Sequence, residues 1–124
     1  MDGNRRDAAG IRLAMERSIR SELEMIRDAT AACTVALATG DGEQVLEILR
    51  ERQTHMSRID GIQAERIRLM AEFPISVLKE SPEWNDVIVQ EADNRRLLQD
   101  IVELDRTVRQ QADEWNQNCR ADLR

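Results

Sequence analysis

Apolar residues recur at steps of three and four through most of the chain, and the pattern breaks at only a few points. Met15, Ile19, Leu23, Ile26, Thr30, Cys33 and Leu37 form the first such series, which places them on one face of an α-helix. The spacing predicts a first helix over residues 7–39. A second series carries Val45, Ile48, Leu49, Met56, Ile59, Ile67 and Met70. It ends at Phe73-Pro74, because proline disfavours helical backbone in the residue before it, so a second helix is predicted over 41–72. Gly61 falls inside this series without a proline beside it and is read as a tolerated weak point. The segment 73–81, FPISVLKES, is a connector whose Ile75, Val77 and Leu78 are apolar enough to tuck against a neighbour as a short helical turn. Ser81, Pro82 and Glu83 then supply an N-cap, a first-turn proline and a carboxylate at the positive end of the helix dipole. A third helix is predicted over 82–120.

Between the first two helices stands ATGDGEQ (38–44). Gly40 suits the left-handed conformation that closes a helix, Asp41 accepts the free N–H groups that open the next, and Gln44 stands three residues on, as in a capping box. So short a turn forces the two helices to run back along each other. The expected fold is all-α: an elongated up-down-up antiparallel bundle of three long helices, in a single domain spanning 1–124. On the third helix, Leu97, Leu98, Ile101, Val102, Leu104 and Val108 spread over roughly 160°, more than one neighbouring helix covers. The remainder of that arc is expected to meet the other two helices together, a second copy of the chain, or an amphipathic helix of a partner.

Composition narrows the function. Leu, Ile, Val and Phe together make about 23% of the 124 residues, above the level at which a highly charged chain stays disordered. The chain has one Phe, two Trp and no Tyr, which suits helix-on-helix packing and weakens base stacking as a mode of binding. A net charge of -6 argues against nucleic acid or an anionic membrane surface as the main partner. All but one of the basic residues are arginines, the exception being Lys79. They are expected to form ion pairs along the helix surfaces, as in Glu16 with Arg20, Glu91 with Arg95 and Asp105 with Arg109.

Cys33 and Cys119 lack metal-binding or redox spacing and are expected to be buried thiols in a reducing compartment. The polar start MDGNRRDAAG and the absence of a long apolar run point to a cytoplasmic protein without membrane insertion.

Little in the sequence points to catalysis. His55, the only histidine, has no cysteine or histidine nearby and is expected to be a partly exposed bystander beside the second apolar series. No nucleophile triad, phosphate loop or metal motif is present, so no catalytic residue, cofactor or metal is expected. SRIDGIQAERIRLM (57–70) resembles the opening helix of the all-helical chorismate mutases, with an Arg, an Ile-Asp pair and spaced aliphatics. That resemblance implies Arg and Lys groups converging on a dicarboxylate, whereas here Lys79 lies in the connector.

A second resemblance covers more of the chain. ATGDGEQVLEILRERQTHMSRID, preceded by a long amphipathic helix and followed by a Pro-containing connector and a helix bearing EADNRRLLQDI, resembles the flagellar export chaperones of the FliT type from Arg12 to Asp113. The FlgN-type chaperones share this layout. The resemblance implies a non-enzymatic cytoplasmic chaperone that holds an unassembled filament-cap protein by an amphipathic segment and contacts the export ATPase and export gate. The positions matching the family's binding helix are Val87, Ile88, Asp93, Asn94, Leu98 and Ile101, faced by Met56 and Ile59. Asn94 is expected to offer a hydrogen bond that fixes the guest's register. A structural coiled-coil adaptor is the nearest alternative, and a homodimer is expected because thin bundles bury little surface per residue.

Overall fold

The computed structural model describes residues 2–122, with side chains over 8–121. Four helices follow one another: α1 (Asp2–Thr39), α2 (Gly42–Glu72), the short α3 (Ile75–Leu78) and α4 (Trp84–Asp122). The fold is an all-α bundle. α1 starts earlier than expected, and α4 begins two residues later and ends two residues later.

The turn between α1 and α2 has the anticipated chemistry. Gly40 has φ 75°. Asp41 N–H donates to Ala36 C=O at 3.0 Å and Gly40 N–H to Leu37 C=O at 3.2 Å, the paired bonds of a Schellman ending. The Asp41 carboxylate accepts from Gln44 N–H at 3.1 Å. Gly42 has a separate purpose: a Cβ there would stand 3.2 Å from the Trp115 indole, which α4 lays across the start of α2. At the other end of α2, Phe73 is extended and its N–H closes the helix on Leu69 C=O. The Ser81 hydroxyl bonds the Glu83 carboxylate instead of capping α4, whose first backbone bonds come from Trp84 N–H to Ser81 C=O and Val87 N–H to Glu83 C=O.

Cross-helix pairs fix the directions. Arg12 reaches Glu91 and Gln111 reaches Thr34 C=O, so α4 runs parallel to α1. Arg66 reaches Glu16 and His55 reaches Glu22, so α2 runs antiparallel. The path is up-down-up. α2 and α4 each pack along α1 but have little direct backbone contact with each other. The molecule is therefore a layer with α1 in the middle, open on one side between its two outer helices.

Three apolar clusters follow one another along α1. Ala8 and Ala9 pack with Leu69 and Leu78, and α3 exists to deliver Leu78 to this end. Ile19, Leu23 and Ile26 meet Leu97 and Ile101 at mid-length. Cys33, Ala36 and Leu37 meet Ile48 near the turn, with Trp115 and Val108 against them.

The inner seam of α2 departs from the expected apolar series. It runs through Ile48, Arg52, His55, Ile59, Ile62, Arg66 and Leu69, alternating steps of four and three. The polar members are tied to carboxylates on other helices: Arg52 to Asp105 at 2.6 Å, Arg66 to Glu16 at 3.0 Å, and His55 to Glu22. His55 is thus buried and paired, not a bystander. Because these three polar residues hold core positions, Leu49, Met56 and Ile67 are turned outward and exposed.

The expected intrahelical ion pairs are also replaced. Glu16 binds Arg12 and Arg66, Glu91 binds Arg12, and Asp105 binds Arg52. Of the three arginines in those expected pairs, Arg20 has an ion-pair partner on its own helix among the described residues, and it is Glu24. A carboxylate held away from water gains more from a guanidinium aimed at it across the seam than an exposed pair gains in high dielectric. Of the two cysteines, Cys33 is buried as expected and Cys119 is exposed.

Candidate functional site

The gap between α2 and α4 forms a groove of about 510 Å³. Its floor is α1, from Glu16 through Ile19 and Leu23 to Ile26. Met56 and Ile59 stand on the α2 wall, and Leu98 and Val102 on the α4 wall. Met56, Leu98 and Val102 are each at least two-fifths exposed, Leu98 the most at 50%. Leu49 and Ile67 lie on the same side of α2 as Met56 by helical register, and Ile88 lies one heptad before Arg95 on α4. Of these exposed apolar residues, Met56, Leu98 and Val102 line the opening.

The groove has polar ends. At one end the Glu16 carboxylate, 1% exposed, accepts from Arg12 Nε at 3.1 Å, Arg66 Nη1 at 3.0 Å and Asn94 Nδ2 at 3.3 Å. Arg12 Nη2 also donates to Glu91 at 2.8 Å. At the other end the Arg52–Asp105 pair joins the two walls over Cys33. Burial pushes the Cys33 thiol up from its ordinary range; Arg52 opposes that shift and Asp105 adds to it. Arg52 to Arg66 and Glu91 to Asp105 are each two heptads, so the apolar stretch between the clamps is about 21 Å long, four helical turns.

The eight residues matched by resemblance divide. Met56, Ile59, Asn94, Leu98 and Ile101 line this groove. Val87, Ile88 and Asp93 do not. Val87 is 0% exposed and belongs to the core, since it sits one heptad before Asn94 on the line that faces α1. Asp93 lies on the opposite seam of α4, where its carbonyl accepts from Arg20 at 3.3 Å and its side chain shares a shallow polar recess with Arg27 and Asp100. Ile88 is exposed but beyond the groove's lining. Ile101 is a floor-level core residue, 3% exposed.

Asn94 is not free to bond a guest. Its Nδ2 donates to Glu16 C=O at 2.9 Å and its Oδ1 accepts from Gln90 at 3.2 Å. It fixes the register of α4 on α1, the usual role of a polar residue at a coiled-coil core position.

No protein-family model, curated protein or solved structure matches the chain. Its chemistry rests on its own geometry. The groove's Arg52 and Arg66 are engaged with Asp105 and Glu16, and Arg95 is the one lining cation without an ion-pair partner among the described residues. Among the described residues no group of His, Cys, Asp and Glu is placed to hold a metal ion, and no helix is long and apolar enough to cross a membrane.

The sequence did not single out Glu16, Arg12 or Arg66 as groove residues. The available signal was a charged residue on the core-facing line of a helix: Arg12 and Glu16 sit at the same three- and four-residue steps that lead to Ile19 and Leu23.

Proposed function

We propose that the chain is a helix-holding protein that receives an amphipathic segment of a partner between α2 and α4. The observation that carries this reading is the missing fourth rod: two outer helices lie on a common floor, little in contact with each other, and turn Met56, Leu98 and Val102 toward the gap. An amphipathic helix laid there covers apolar surface on three sides and completes a four-helix arrangement. The sequence resemblance to flagellar export chaperones makes the guest an unassembled filament-cap protein, held by its C-terminal region in the cytoplasm until export.

Leu98→Asp and Ile101→Asp test this together. Leu98 is half exposed and should tolerate a carboxylate with its helical circular dichroism unchanged, while binding to the filament-cap C-terminal region weakens by more than tenfold, about 1.4 kcal/mol. Ile101 is core, so Ile101→Asp should lose the fold. An intact Leu98→Asp variant with undiminished binding would remove the groove as the client site.

A further inference from the structure

Charge is distributed along the groove in a way that distinguishes its two walls. Arg52, Arg66, Glu16, Glu91 and Asp105 are all engaged with one another or with Arg12 at the two ends. Between those clamps each wall carries one lining charge with no ion-pair partner among the described residues: Asp60 on α2 and Arg95 on α4. Both are exposed.

A guest helix resting its apolar face on the floor presents one edge to Asp60 and the other to Arg95. Reversing the guest end for end, with the same face down, exchanges those edges. A helix with cations on one edge and carboxylates on the other therefore meets two attractive contacts in one direction and two repulsive ones in the other.

We propose that Asp60 and Arg95 set the direction in which the guest lies, and that the guest is an amphipathic helix of another protein. Its apolar face runs about four turns, matching the span between the clamps, and it has one basic and one acidic edge. This rests on the groove reading above and adds a polarity to it. Attraction and repulsion of this kind act more on specificity than on total affinity.

The exposed Cys119, beyond the Asp105 end of the groove, provides a single labelling site, because Cys33 is buried. With a donor on Cys119, two synthetic amphipathic peptides of about four turns are compared, each with leucine at heptad positions a and d. One carries Lys at every e and Glu at every g, the other the reverse, and each carries an acceptor at its N-terminus. The two peptides should dock in opposite directions, giving one high and one low transfer efficiency, with a preference of about fivefold that shrinks as salt is raised. The double variant Asp60→Arg with Arg95→Asp should exchange the two results without loss of helix.

Binding of both peptides with no directional preference, or an unchanged preference in the double variant, would overturn the polarity and leave the groove reading standing. No binding of either peptide would overturn both. Sedimentation showing a dimer that neither peptide dissociates would assign the groove to a second copy of the chain and overturn the proposal.

Discussion

Glu16 is where all three long helices are tied together. Its carboxylate takes guanidinium hydrogen bonds from α1 and α2 and an amide hydrogen bond from α4, and its backbone carbonyl takes a second from Asn94. Removing it leaves Arg12, itself 4% exposed, as a buried cation that keeps only Glu91. Breaking a buried pair on one side costs about 3 kcal/mol or more, because the remaining charge stays desolvated. Glu16→Ala should lower the unfolding free energy in urea by that amount. A loss under about 1 kcal/mol, the range of an exposed pair, would show that the network contributes no more than a surface ion pair. Arginine and glutamate are ordinarily surface residues, so the sequence favours pairing each with its neighbour four residues along its own helix. Nothing in a single chain reveals that the stronger partner stands across a seam, because that partner is distant in sequence: Arg12 finds Glu91, Arg52 finds Asp105, and His55 finds Glu22.

At the scale of elements, the α1–α2 turn was legible because each residue in it has a local reason. Gly40 at φ 75° is the position where a branched side chain is least tolerated. Gly40→Val should lower stability by roughly 1 kcal/mol or more, read as a lower midpoint in chemical denaturation. An unchanged midpoint would mean that the left-handed ending is not needed. The orientation of α2 was harder to read. Its apolar residues point to a face centred near Met56, whereas the core line passes through Ile48, His55 and Leu69. The two differ by about a quarter of a turn, and the difference is physical. Polar residues hold core positions by pairing with Glu22, Glu16 and Asp105, and of the displaced apolar residues Met56 lines the groove. α4 shows the same division: Leu97 and Ile101 are buried on α1, while Leu98 and Val102 face the opening. The broad arc seen in the sequence is thus half core and half groove wall. What the sequence lacked was the rotation of each helix, which decides that Met56, Ile59 and Leu98 share one opening while Val87 and Asp93 face elsewhere.

For the whole molecule, three helices make an open layer, and the proposed function requires its uncovered side to take a fourth. A closed bundle would bring α2 and α4 together and bury Met56, Leu98 and Val102. The layer keeps them apart, with polar clamps at both ends and an apolar floor between. The most direct measurement places a photoreactive side chain at Met56, at Leu98 or at Val89, which is 60% exposed on the far side of α4, and illuminates each variant with purified filament-cap C-terminal region. Crosslinks are expected from positions 56 and 98, mapping to one face of one guest helix at three- and four-residue intervals, and none from position 89. Crosslinking from position 89 with none from 56 or 98 would place the guest on the outer face of α4 and rule out the groove.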